Sequence, residues 1–125
     1  MPMAERARSH RRTGRYRPRT AEYAARALLR TRGFSIVARV VEPSLPLSLA
    51  AWSGDGRAEI FRVMTTRRAL PSVSEATILF WDEIGTLRAL SRDVGGPVNL
   101  WVLSDRKAWH RYRVFPGGVM EVQDA

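Results

Sequence analysis

The fold is decided by residues 33–64: Gly33-Phe34-Ser35-Ile36-Val37-Ala38-Arg39-Val40-Val41, a Glu42-Pro43 stop, and then a second stretch. That stretch reads Pro46-Leu47-Ser48-Leu49-Ala50-Ala51-Trp52-Ser53-Gly54-Asp55-Gly56-Arg57-Ala58-Glu59-Ile60-Phe61-Arg62-Val63-Met64. The first run is rich in Ile and Val and predicts a strand over 34–41, and the apolar run 47–52 predicts a second. Ser53-Gly54-Asp55-Gly56 is a turn signal, so a third strand over 58–64 closes a hairpin with the second. Working outward, Thr20 is placed to cap a helix whose apolar side is Tyr23, Ala24, Ala27 and Leu28, with Gly33 ending it. Downstream, 65–72 reads as a loop carrying Arg67, Arg68 and Pro71. Ser74 opens a second helix running to about Arg92, with Ile78, Trp81, Ile84, Leu87 and Leu90 at three-residue steps and Leu79, Phe80 and Val94 adding to its buried side. Gly95-Gly96-Pro97 ends it. The near-continuous apolar run 98–103 predicts a strand buried on both faces. Residues 104–107 turn the chain, and 109–115 alternates strictly: Trp109, Arg111, Arg113 and Phe115 on one side, His110, Tyr112 and Val114 on the other. Pro116-Gly117-Gly118 turns again before a short strand over 119–122. Helix, three strands, helix, then two or three strands is an α/β layered sheet of mixed direction.

Composition narrows the function classes. At 125 residues the chain fits one domain, with 45% hydrophobic and 26% charged residues, ordinary for a globular protein. No apolar run reaches the roughly 20 residues of a membrane span, and the Arg-rich start lacks the apolar core of a secretory signal. The absence of cysteine removes disulfides, thiolate nucleophiles and Cys-ligated metals, and fits a cytoplasmic setting. Neither His10 nor His110 belongs to a recognisable catalytic set, Gly54-x-Gly56 lacks the remainder of a dinucleotide motif, and no nucleophile elbow is present. Trp81 and Trp101 sit in apolar runs and read as core; Trp52 and Trp109 are open to core or base-stacking roles.

Charge is unevenly placed. The net charge is +9, and residues 1–32 hold ten Arg against Glu5 and Glu22, a balance of +8. Residues 1–18 carry no hydrophobic period and read as a basic flexible arm ahead of a single domain over 19–125. Guanidinium groups donate paired hydrogen bonds to phosphate oxygens, and neutralising phosphates releases condensed counterions. The expected contacts are Arg11, Arg12, Arg15, Arg17, Arg19, Arg26, Arg30, Arg67 and Arg68, with nucleic acid, DNA foremost, as the partner and no membrane.

The order of elements, the Gly54-Asp55-Gly56 hairpin turn, Glu22 eleven residues before Gly33-Phe34 and the polar Thr65-Thr66-Arg67-Arg68 after the third strand together resemble the PD-(D/E)XK nuclease superfamily. Within it the likeness is to archaeal Holliday junction resolvases, over roughly residues 20–115. The resemblance implies a restriction-endonuclease-like mixed sheet and a Mg²⁺-dependent site made by a Glu in the first helix, an Asp opening the second strand and a Glu-x-Lys triplet ending the third. Glu22 matches the first. Ser48 falls at the Asp position and Arg62-Val63-Met64 at the triplet. A hydroxyl, a reversed charge and a lost ammonium are poor material for holding a divalent ion and polarising a phosphate. Glu22, Ser48, Arg62 and Met64 are therefore expected to form a vestigial pocket, with Arg62 holding a phosphate oxygen in place of the metal. Glu59 should face away from Arg62 and Met64. The expectation is a nucleic-acid-binding nuclease-fold protein that does not cleave and carries no cofactor. The alternatives are a Mg²⁺-dependent, junction-type endonuclease with a rearranged acid set including Glu22, and a non-catalytic interaction subunit. The resemblance also implies a homodimer, while the interaction-subunit alternative would pair with an active paralogue.

Overall fold

The computed structural model describes residues 18–68, 72–105 and 108–122; the basic arm, apart from Pro18, lies outside them. Helix α1 (Pro18–Thr31) leads into strand β1 (Phe34–Arg39), followed by β2 (Leu49–Ser53) and β3 (Ala58–Thr66). Two helices, α2 (Val73–Leu79) and α3 (Trp81–Ser91), precede β4 (Val98–Ser104), β5 (Trp109–Phe115) and β6 (Gly118–Glu121). All six strands form one sheet in the order of the sequence. Neighbours are antiparallel except β3 and β4, which run parallel from Ile60↔Val98 to Thr66↔Ser104. A parallel pair needs a crossover, and α2 and α3 supply it. The chain has the expected α/β mixed sheet.

The local chemistry follows the sequence closely around the hairpin. Ser53 N–H donates to the Arg57 carbonyl at 2.8 Å, and Gly56 N–H returns to the Ser53 carbonyl at 3.1 Å. Gly56 takes φ +86°, a conformation that costs a side-chain-bearing residue strain. The Ser53 hydroxyl donates to the Asp55 carboxylate; that bond and the Arg57 backbone N–H hold the Asp55 carboxyl below its usual range. Gly33, at φ +97°, ends α1 as expected, its N–H donating to the Arg30 carbonyl.

Helix faces are where expectation and structure part. Ala21, Ala25 and Leu29 form the buried side of α1, whereas Tyr23, Ala24 and Ala27 are exposed and only Leu28 of the expected face packs on the core. The predicted single helix from Ser74 to Arg92 is two helices. Ser72, whose side chain accepts the Glu75 N–H, caps α2, and Phe80 at φ −113°, ψ 36° breaks the run. Residues three apart on an α-helix drift by about 60° per step, so a stripe of Ile78, Trp81, Ile84 and Leu87 cannot stay on one face. The break turns Phe80 inward with Ala76, Ile84 and Leu87, and leaves Ile78 76% and Trp81 68% exposed. Trp81 is thus not a core residue; Trp101, at 4%, is.

The sheet separates two apolar clusters. On one face α1 covers Phe34, Val37, Leu49, Ala51, Phe61, Val63, Trp101 and Leu103. On the other, α2 and α3 cover Val98, Leu100, Val102, Tyr112 and Val114. Every residue of β4 is buried, as its apolar run required. The strict alternation of 109–115 is realised, with Trp109 on the α1 face and Tyr112 and Val114 on the other. Among the described residues no helix is long and apolar enough to cross a membrane.

Candidate nucleic-acid interface

The four positions expected to form one vestigial pocket do not share one. Glu22 projects from α1 towards the edge strand, where its Oε1 accepts from Arg39 Nε at 3.1 Å; Arg19, Tyr23 and Arg26 line the same small hollow. Arg62 and Met64 lie on the opposite face of the sheet. Met64 packs against the cluster under α2 and α3. Arg62 lines a cavity of about 130 Å³ with Pro46, Asp82, Glu83, Thr86 and Leu87. The physical reason is the strand period: α1 packs over the odd-numbered residues of β3, so Arg62 and Met64 turn away from it. Glu59, as expected, faces the other way and is buried.

Ser48 has a structural task. Its N–H donates to the Phe61 carbonyl at 2.8 Å, and its hydroxyl accepts the Val63 N–H at 2.9 Å. The side chain thereby supplies an acceptor for a buried β3 backbone donor, just before β2 begins. With Ser48 Oγ engaged in this way, a guanidinium at 62, a thioether at 64 and Glu22 across the sheet, these residues do not fit a divalent cation. Among the described residues, no three His, Asp or Glu side chains converge as a metal site would require.

The Arg62 cavity also has the wrong sign for the phosphate contact expected of it, since Asp82 and Glu83 outnumber the one guanidinium. The other expected cations are better placed. Arg19, Arg67 and Arg68 are exposed. Glu22, in the first turns of α1, reaches the end of β1 at Arg39, while Leu29 and Arg32, at the other end of the helix, share a cavity with Arg57 and Glu59 where β3 begins. The N-terminal end of α1 and the C-terminal end of β3 therefore lie at one end of the sheet. Arg67, Arg68, Arg19 and the point where the arm joins gather there. Arg26 is half-buried over the Tyr23 ring, 5.9 Å from its centroid, with its Nε lacking a hydrogen-bond partner among the described residues. Arg11, Arg12, Arg15 and Arg17 lie outside the described residues.

The sequence pattern did not point to a polar cluster at the opposite end of β3. Asn99, in the middle of the sheet and 2% exposed, donates from Nδ2 to Glu59 Oε1 at 3.0 Å and to the Ile60 carbonyl at 3.1 Å. Arg113 reaches Glu59 at 3.1 Å and Asn99 Oδ1 at 3.4 Å, and Arg57 lies 3.5 Å from the second Glu59 oxygen. One signal was legible: an Asn inside an otherwise apolar strand needs partners when buried. These groups, with Arg32, Arg111, Leu29, Phe34, Phe61, Trp101 and Val122, line a cavity of about 230 Å³.

A six-stranded mixed sheet with α1 on one face, the α2–α3 crossover on the other and a β2–β3 hairpin preceding the crossover is a restriction-endonuclease-like fold. No protein-family model matches the chain, and no curated protein matches it either. Among solved structures, the chain is similar to Hjc of the archaeon Archaeoglobus fulgidus, a Holliday junction resolvase. The TM-score is 0.53 at 18% identity, over 83% of this chain and 86% of that one.

Proposed function

We propose that this nuclease-fold protein binds structured or duplex nucleic acid, DNA foremost, without hydrolysing it. The observation that carries the reading is the concentration of charge. Residues 1–32 carry +8 of the overall +9, and Arg19, from that stretch, lies with Arg67 and Arg68 exposed at one end of the sheet. Ser48 and Arg62 offer no carboxylate where the family resemblance would require a metal ligand, and Met64 offers no ammonium. Guanidinium forks at this density grip phosphate oxygens and gain from counterion release, which favours binding over sequence readout. Arg62 is left out of the proposed contacts because Asp82 and Glu83 face it.

Fluorescence anisotropy with duplex, flap and four-way junction DNA over a salt series tests the binding. Removing residues 1–17 takes away six Arg and one Glu. The expected result is weaker binding and a salt slope shallower by several units, at about 0.9 for each phosphate that the arm neutralises. Unchanged affinity and slope would overturn the arm's role. Incubating the same DNAs with protein in Mg²⁺ or Mn²⁺ tests the chemistry: no product is expected, and cleavage abolished by Glu22→Ala would show an active, rearranged site.

A further inference from the structure

The cavity at the start of β3 is unusual in how its cations are held. Glu59 and Asn99 are both buried and clamp the Arg113 guanidinium from two sides. Arg57 is fixed between the Glu59 carboxylate and the face of Phe34, 4.8 Å from the ring centroid. Arg111, only 9% exposed, lies over Trp101 at 5.9 Å, and Arg32 completes the rim. Stacking and ion pairing remove much of the rotamer freedom that an Arg ordinarily loses when it grips a ligand. Among the described residues the lining holds one carboxylate shared by two guanidinium groups, so even this set leaves one positive charge over.

We propose that this cavity is a phosphate-binding site, separate from the arm and from the family's catalytic positions. The chemistry favours a tetrahedral oxyanion. A phosphate has enough oxygens to accept from several forks at once, whereas a lone carboxylate is satisfied by one. At about 230 Å³ the cavity is smaller than the roughly 300–1,000 Å³ of ordinary ligand pockets, room for a phosphate with part of its sugar. Phe34, Phe61 and Trp101 give the apolar wall that a sugar or base edge needs. Along β3, Glu59 and Arg67 are eight residues apart, about 26 Å at strand rise, so this contact would be a second footing remote from the basic end. The source of the phosphate is either a nucleic-acid strand, in which case this inference rests on the binding reading above, or a free nucleotide.

The test follows the side-chain Nε–H resonances of Arg57 and Arg113 in the ¹⁵N-labelled full chain. Inorganic phosphate, a nucleoside 5′-monophosphate and duplex DNA are titrated at constant ionic strength, with chloride as the control. Saturable shifts with phosphate, weakened at least five-fold by Arg57→Gln, are expected; Arg113 and Asn99 still hold Glu59 Oε1 in that variant. If DNA is the source, Arg57→Gln also lowers the salt slope of duplex binding by about 0.9, one phosphate contact. If the nucleotide shifts the resonances and duplex binding ignores the variant, the site stands and its source is the free nucleotide. Unmoved resonances with all three probes overturn the site, even where the arm still binds duplex. Saturable phosphate binding in a chain that ignores DNA keeps the site and removes the nucleic-acid reading instead.

Discussion

Tyr112 lies on β5 with 1% of its surface exposed, packed in the cluster beneath α2 and α3, and its hydroxyl is buried without a hydrogen-bond partner among the described residues. Such an orphan costs about 1–3 kcal/mol in lost hydration. Tyr112→Phe keeps the ring and its packing while removing that cost, so the variant should be more stable at neutral pH, by an amount up to that range. Burial, with the nearby Glu121 carboxylate adding to it, pushes the phenol up to about 12, against about 10 for a free tyrosine. Above pH 10 the unfolded chain releases this proton while the folded chain keeps it. The contribution is therefore complete below the unfolded pKa and is lost as pH rises towards the folded one, at about 1.4 kcal/mol per pH unit. Over that window the loss is of order 2–3 kcal/mol, and the Phe variant is spared it. Urea unfolding of both proteins at several values between about pH 8 and pH 12 measures the gap, which should open with pH. A Phe variant no more stable than wild type at neutral pH, or a gap constant across the alkaline range, would refute the reasoning.

Ser48→Ala strips the acceptor from the Val63 N–H and should cost about 1–3 kcal/mol in the same urea assay; a neutral result would mean that the backbone donor finds another partner. The break between α2 and α3 predicts opposite outcomes at adjacent aromatic positions. Phe80→Ala should lower stability by about 3–5 kcal/mol, while Trp81→Ala stays within about 0.5 kcal/mol. Equal losses at both would restore the single continuous helix.

Strands are legible where side-chain alternation is strict. The run from Trp109 to Phe115 sorts into two faces by its pattern alone, because period two leaves a residue only two directions. Helices are harder. The buried face Ala21, Ala25 and Leu29 gives a weaker apolar signal than one containing bulky Tyr23, since close packing of α1 on the sheet prefers small side chains that hydrophobicity alone ranks low. The three-residue rhythm from Ile78 to Leu90 conceals the turn at Phe80. For the candidate site, the arm's charge can be read directly, but the clamp of Glu59, Asn99 and Arg113 cannot. Its members come from three strands, and only the register Phe61↔Asn99↔Arg113 brings them together. The tertiary packing of α3 likewise places Arg62 beside acids that sequence separation gives no reason to expect.

The parallel seam between β3 and β4 has a kinetic consequence. All other strand neighbours are joined by connections of nine residues or fewer, so β1–β3 and β4–β6 can each zip locally. Only Ile60↔Val98 and the pairs after it require closing a long loop through α2 and α3, and that entropy must be lost before the contacts repay it. Formation of this one seam is thus the natural bottleneck in folding. Fragments separated between Arg68 and Ser72 would have to reassemble along the same line.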